Sequence, residues 1–230
     1  MPSVGTIADA ARMSACATRT LQVRDLGRMR YSEALEIQKE LVERRKLGLI
    51  PDQLLFVEHP HVITLGRSGR AENLLASEAA LRSAGIEFYP TNRGGDITYH
   101  GPGQIVGYPI LDLREWKRDV VAYVRAIEQA IMDALAGFDI AAGRIPGCTG
   151  VWVDGKKVAA IGVHISRWVT SHGFALNHTT DLRYFQYIVP CGLTKPVTSM
   201  QELGSGSSHE QVLAALSTCF ARQFQTETYS

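Results

Sequence analysis

At 230 residues the chain has the length of one large α/β domain or two small ones. Its 24 basic and 23 acidic residues leave a formal charge of +1, which excludes a global field that would gather nucleic acid or an anionic membrane. Four scattered cysteines with no C-x-x-C pair argue against a disulfide framework and suit a reducing compartment, the cytoplasm.

Residues 1–19 are rich in small side chains and hold no continuous apolar run, so they read as a flexible tail, with a weak organellar transit peptide as the alternative. No stretch approaches the roughly 18 apolar residues of a membrane helix. Residues 20–27 alternate as a half-buried strand does. The next segment places Ala34, Leu35, Ile37, Leu41 and Val42 at mainly helical spacing, with Ser32 as N-cap and Gly48 as stop. "QLLFVEHP" and "HVITLG" predict two strands broken at Pro60, and 76–85 a short helix ending at Gly85. "IEFYP" and "QIVGYPILDL" are further strands on either side of a glycine-rich loop. The longest helix is expected over 116–136, with Val120, Val121, Val124, Ile127, Ile131 and Leu135 on one face. Two strands around an Asp154-Gly155 turn, a third strand over 168–177, and helices near 181–187 and 209–224 complete the chain. The pattern is an α/β fold of the α+β type: one mixed, largely antiparallel sheet with flanking helices, the helices on one side.

The loop "RGGDITYHGPGQ", from Arg93 to Gln104, concentrates chemistry in twelve residues. Gly94, Gly95, Gly101 and Gly103 tolerate positive φ and Pro102 fixes φ, so the backbone is bent to shape for a turn or a ligand. A dinucleotide fingerprint is excluded: the glycine spacing is wrong, and strand follows where a helix N-terminus should receive phosphate. Arg93 suits an anionic or carbonyl ligand, Tyr99 adds an amphipathic ring and His100 a possible proton carrier. His59-x-His61 has a spacing that zinc uses, but Pro60 breaks the strand between them and no third ligand is evident.

Among the cysteines, Cys219 reads as a buried residue of a helix and Cys148 as part of a turn. Cys191, in "YIVPCGLT", sits on a Pro-Cys-Gly bend, either as a fixed, exposed nucleophile or as a plain turn residue. Lys157 begins the apolar strand "KVAAIGVHI"; it is either a partly buried amine, whose burial favours the neutral base, or an exposed hairpin charge. Lys156 faces the opposite side and reads as solvated.

"RGGDITYHGPGQIVGYPI", "TGVWVDGKKVAAIGV", "HGFALN" and "PCGLTKPVTS", in this order within residues 20–203, resemble the lipoyl(octanoyl) transferases, the LipB-type octanoyltransferases of the biotin/lipoate protein ligase superfamily. The resemblance implies the ligase-like fold as a single catalytic domain over 20–230. It implies transfer of octanoyl from octanoyl-acyl carrier protein to the lysine ε-amine of lipoyl domains, those of 2-oxoacid dehydrogenase E2 subunits and of the glycine cleavage H protein. It also implies roles for particular residues. Cys191 is the acyl-accepting cysteine and Lys157 its catalytic partner. Arg93, Gly94, Gly95, Asp96, Ile97, Thr98, Tyr99 and His100 form the acyl-binding loop, joined by Ala160, Ile161 and Gly162 and by Gly173, Phe174 and Ala175, with Tyr99 and His100 near the thioester. No metal, nucleotide or redox cofactor enters the implied reaction, and a cytoplasmic monomer is expected. His164 stands where many family members carry Arg. An acidic carrier would need a local basic patch, for which Arg144, Lys156, Arg167 and Arg183 are candidates.

Three rivals remain at this point. A lipoate or biotin ligase of the same fold would activate a free acid with ATP and need no nucleophilic cysteine. A silent acyl- or lipoyl-domain-binding module would need neither Cys191 nor Lys157. A thiol hydrolase pairing Cys191 with His172 or His100 would release free octanoate.

Overall fold

The computed structural model describes residues 19–189 and 196–229. The expected tail, up to residue 18, and Cys191 lie outside the described residues; Arg19 already belongs to the first strand. That strand, β1 (Arg19–Arg28), leads into α1 (Tyr31–Lys46), then β2 (Asp52–Glu58) and β3 (Val62–Leu65). After a 3-10 turn follow α2 (Glu78–Ser83), β4 (Glu87–Pro90), β5 (Ile97–His100) and β6 (Gln104–Ile110). The second half comprises α3 (Val120–Ala136), β7 (Gly143–Ile145), β8 (Cys148–Val153), β9 (Lys156–Ser166), β10 (Val169–Asn177), α4 (His209–Phe224) and β11 (Thr226–Tyr229).

Eight strands form a mixed sheet in the order β11-β1-β2-β6-β10-β9-β8-β7, and β4-β3-β5 form a second, small one. The pairs β11–β1 and β1–β2 are parallel; every other pair in the large sheet is antiparallel. Pro60 has a larger effect than a strand break, since β2 before it joins the large sheet and β3 after it the small one. β2 reads as a nearly continuous apolar run because it is buried on both faces. Leu54 and Phe56 enter the cluster under α3 and α4, while Leu55 and Val57 enter the cluster under α1. Helices therefore cover both faces of the large sheet, which corrects the expectation of a one-sided layer.

Several boundaries shift for local reasons. Ser32 lies inside α1, whose first turn is closed by the Arg30 N–H donating to the Glu33 carboxylate (3.3 Å). α3 starts at Val120 rather than 116 because Asp119 caps it, accepting the Ala122 N–H at 2.9 Å. Val120 and Val121 are consequently exposed in the first turn, and Tyr123, Ile127, Ala130, Ile131 and Ala134 carry the buried stripe. Residues 182–187 form a 3-10 helix instead of an α-helix. β5, β7 and β11 are short strands that alternation did not reveal, and β5 occupies half of the glycine-rich segment read as loop. Asp154 and Gly155 both take positive φ (47° and 76°), the geometry of a two-residue hairpin turn between β8 and β9. Among the described residues no helix is long and apolar enough to cross a membrane.

Candidate active site

A cavity of about 360 Å³ lies between β5 and the β6–β10–β9 part of the large sheet. Its floor is made of residues with little or no side chain. Ala160 pairs with Ala175 and Gly162 with Gly173 across β9 and β10, and Val106 continues the row on β6. Small residues are required there: a β-carbon on Gly162 would stand 2.8 Å from the Gly94 carbonyl oxygen, and one on Gly173 would meet the Gly107 carbonyl at 2.2 Å. The roof is the glycine-rich loop and β5, with Gly95, Asp96, Ile97, Thr98 and His100 on the lining. The loop is held down by the Gly94 N–H donating to the Val163 carbonyl (2.8 Å) and turns through Gly95 at φ 84°.

At one end stands Lys157, 9% exposed, with its Nζ 4.8 Å from the centre of the Trp152 ring. Gly147, Cys148 and Thr149 line the cavity beside it. The Lys157 backbone is fixed on both sides: its N–H donates to the Pro196 carbonyl (2.9 Å) and its carbonyl accepts the Thr198 N–H (3.0 Å). Residues 196–198 therefore lie against the Lys157 strand. Val189 donates its N–H to the Asn73 carbonyl (2.8 Å), and Asn73 in turn donates from Nδ2 to Asp96 (2.6 Å). Fully buried Glu128 of α3 anchors the neighbouring hairpin, accepting the Gly150 N–H (3.1 Å) and pairing with Arg144 (2.8 Å) and Arg125 (2.7 Å).

The opposite end is polar and uncharged apart from Arg93. Tyr31, Tyr108, His100 and His172 line it. His59, behind them, donates from Nδ1 to the Met29 carbonyl (2.8 Å), so its Nε2 accepts the Tyr108 hydroxyl (2.7 Å). His100 donates from Nδ1 to Gln104 Oε1 (2.8 Å), and Gln104 Nε2 donates to Asn177 Oδ1 (2.9 Å). Asn177 then donates to the Thr198 carbonyl (2.9 Å), so a continuous buried chain joins His100 to the residue paired with Lys157. Burial lowers the histidine pKa values to about 4 for His59 and about 3 for His100 and His172, with nearby Arg93 adding to the effect on the last two. All three are therefore neutral at physiological pH. His172 holds a left-handed φ of 54° while its N–H donates to Gln38 on α1 (2.8 Å) and its Nε2 bonds to Asn92 Oδ1 (2.8 Å).

Of the residues expected at the site, the lining includes Lys157, Arg93, Gly95, Asp96, Ile97, Thr98, His100, Ala160, Ile161, Gly162, Gly173, Phe174 and Ala175. Gly94 and Tyr99 do not line the cavity. Gly94 serves through its N–H, and Tyr99 turns into the small sheet's core, its hydroxyl on His61 Nδ1 (2.8 Å). His100 lines the cavity with its ring parallel to that of Tyr31. Arg93 braces the roof, donating to the Thr64 carbonyl (2.7 Å) and hydroxyl (2.8 Å) and to the Gly94 carbonyl (3.1 Å). Cys148, read as a turn residue, opens β8 and reaches the lining. His59 and His61 face different environments, as the break at Pro60 implied. Tyr31, Val106, Tyr108 and His172 were missed as lining residues. Three of the four candidate carrier-binding cations have carboxylate partners within the chain: Arg183 on Asp181, Arg144 on Glu128, which it shares with Arg125, and Arg167 on Glu43, which it shares with Lys46.

Residues 30–221 match the family described as lipoyl protein ligase A/B catalytic domain. An octanoyltransferase of Solibacter usitatus is 66% identical over 209 residues, covering 91% of this chain and 95% of the relative. One from Koribacter versatilis is 49% identical, covering 90% and 85%. The fold is also that found in a structural analysis of an archaeal lipoylation system, a bi-partite lipoate protein ligase and its E2 lipoyl domain, from Thermoplasma acidophilum (TM-score 0.70, 16% identity, 93% of this chain and 87% of that one). It is shared with a lipoate-protein ligase A bound with ATP (TM-score 0.71, 16% identity, 93% and 90%). With a cavity of about 360 Å³ that Lys157 lines and with these relatives along nearly its whole length, the chain belongs to the lipoyl protein ligase A/B catalytic-domain family and, within it, to the octanoyltransferases.

Proposed function

We propose that the chain moves an octanoyl group from the phosphopantetheine thioester of acyl carrier protein to the ε-amine of a lysine on a lipoyl domain, through an acyl-Cys191 intermediate. One observation carries the reading beyond the family: Lys157 lines a narrow cavity floored by backbone and methyl groups, and its own N–H is bonded to Pro196, in the segment that contains Cys191. In the first half-reaction the Cys191 thiolate attacks the donor carbonyl carbon. The carbon–sulfur bond to the carrier breaks, and the carrier thiolate leaves with the proton that Lys157 took from Cys191. In the second, the neutral acceptor amine attacks the acyl-Cys191 carbonyl; the Cys191 thiolate departs and Lys157 accepts the surplus amine proton. The cavity, of a size usual for small-ligand sites, shields the thioester from water between the two steps.

The acceptors in this reading are the lipoyl domains of 2-oxoacid dehydrogenase E2 subunits and the glycine cleavage H protein, and the enzyme, residues 20–230 acting as one catalytic domain, works as a cytoplasmic monomer that keeps Cys191 reduced. Intact-protein mass spectrometry after mixing with octanoyl-acyl carrier protein, without ATP, tests it. Wild type is expected to gain one octanoyl group removable by denaturing hydroxylamine, and Cys191→Ser to gain none. Absence of the adduct in wild type, with lipoyl-domain octanoylation appearing only when ATP and free octanoate are added, would replace the transferase by a ligase.

A further inference from the structure

Beside the acyl cavity lies a much smaller one of about 20 Å³, lined by Thr98, Gln104, Lys157 and Asn177 together with the Ala160–Ala175 pair of the floor. A space of that volume holds one oxygen-sized group. Thr98, Lys157, Ala160 and Ala175 line the acyl cavity as well, so the two spaces adjoin at the Lys157 end. Most polar groups there are already committed. Gln104 Nε2 donates to Asn177 Oδ1 (2.9 Å) and to the Tyr99 carbonyl (3.2 Å), and Asn177 Nδ2 donates to the Thr198 carbonyl (2.9 Å). Thr98 is the exception. Tyr99 turns into the core of the small sheet, so Thr98 and His100, its neighbours in β5, face the other way, toward the cavity. The Thr98 hydroxyl makes no hydrogen bond to any described residue, whereas that of Thr64, its partner on β3, receives two from Arg93 (2.8 and 3.2 Å). Thr98 is half-buried and its hydroxyl is not sealed in; the sealed, unpaired side-chain polar atoms among the described residues belong to Arg19, Tyr31, Gln38, Gln53 and Tyr123. A β-branched side chain has few rotamers, so this spare donor is held in place by its strand.

Resting on the acyl-transfer reading of the site, we propose that the small cavity receives the carbonyl oxygen of the reacting acyl group, and that Thr98 is a catalytic residue whose hydroxyl donates a hydrogen bond to the oxyanion formed there. As sulfur or the amine nitrogen bonds to the carbonyl carbon, the π electrons of the C=O bond move onto oxygen. They return when the leaving sulfur departs. The Thr98 proton stays on its own oxygen, so Lys157 carries all of the proton transfer. A neutral donor fixed in advance needs little reorientation as the charge develops. Both half-reactions use it, because both pass through a tetrahedral species at the same acyl carbon.

Steady-state octanoyl transfer from acyl carrier protein to a lipoyl domain tests this in wild type, Thr98→Val and Thr98→Ser. Valine keeps the shape of the side chain and loses the donor. Thr98→Val is expected to lower kcat about 10²-fold, the effect of removing one oxyanion donor, with KM for the acyl donor nearly unchanged. Thr98→Ser keeps the hydroxyl and is expected to recover most of that loss. The urea midpoint of Thr98→Val should stay at the wild-type value, because the hydroxyl has no partner to lose. A Thr98→Val kcat within about threefold of wild type, a loss confined to KM, or a serine variant as slow as the valine one overturns the proposal. A lowered midpoint with kcat kept overturns it too, and marks the small cavity as the seat of a structural water. If Thr98→Val does not fold, Thr98→Ala, which also lacks the hydroxyl, is read by the same criteria. Absence of octanoyl transfer in wild type would fail the transferase reading, whereas transfer that Thr98→Val leaves intact fails only this inference.

Discussion

At the Lys157 end the cavity borders a hairpin near the sheet's edge, with the Lys157 Nζ over Trp152 and a buried carboxylate, Glu128, holding the strand behind it. At the Tyr31 end the same cavity is closed by neutral imidazoles and phenols packed between α1 and the centre of the sheet. The contrast separates two tasks. In the proposed reaction, proton transfer falls to the Lys157 end and the acyl tail to the end lined by Tyr31 and Tyr108. The two ends should therefore respond to different perturbations.

Lys157→Met keeps most of the aliphatic stem and removes the amine. It is expected to lower the rate of octanoyl transfer about 10²- to 10⁴-fold, the usual contribution of one proton-transfer group, in single-turnover acylation assays. A loss under threefold would remove Lys157 from the reaction.

Acid should act on the other end. His59, His100 and His172 have folded pKa values of about 3 to 4, against about 6.5 when unfolded. Below pH 6.5 the unfolded chain binds more protons, so this stability is complete above that pH and falls as pH drops toward 4. At pH 5.5 each histidine has lost at most about 1.4 kcal/mol, roughly 4 kcal/mol for the three. Urea titrations at pH 7.5 and 5.5 measure it; replacing His59 by Gln should remove part of the difference, and an unchanged difference would place the acid sensitivity elsewhere.

Glu128→Ala should cost about 2 to 3 kcal/mol, at or just below the lower edge of the range for a broken buried pair, because Arg125 and Arg144 stay partly in water. Since Glu128 also holds the Gly150 N–H, transfer should fall in the surviving folded protein while the acid response of the Tyr31 end is kept.

The Lys157 end was the more legible of the two in the sequence. A lysine opening an apolar strand, a tight Asp-Gly turn before it and glycines in a strand floor are local signals, each confined to a few consecutive residues. The Tyr31 end is assembled from α1, His59 just after β2, β5, β6 and β10, which only the crossovers of the sheet bring together. Tyr31 and Gln38 lie on the buried face of α1, but periodicity marks such positions as core, and nothing local says that this core is polar. Tyr99 misled for the complementary reason: adjacent strand residues face opposite ways, so His100 enters the cavity and Tyr99 must leave it. The two-sided helix packing was foreshadowed by the unbroken apolar run of β2, a pattern that alternation-based reading passes over.

The floor joins the two ends, and the smallest predicted effect tests whether it must remain bare. In Gly162→Ala the new methyl carbon would stand 2.8 Å from the Gly94 carbonyl oxygen and 3.1 Å from Arg93 Cδ. The first contact is backbone, so the glycine-rich roof has to lift. The Gly94 N–H bond to Val163 holds it in place, and overpacking of this kind costs about 1 to 3 kcal/mol. Gly143→Ala is the control, because nothing lies within 4 Å of its added carbon and its φ is not positive, so its stability should be unchanged or slightly raised. In urea titrations and octanoyl-transfer kinetics, Gly162→Ala should lower the midpoint and raise KM for the acyl donor together, since one contact governs both the roof and the slot. A variant that loses stability with KM unchanged would show that the acyl chain does not run over Gly162, and would leave the two ends of the cavity unconnected by substrate.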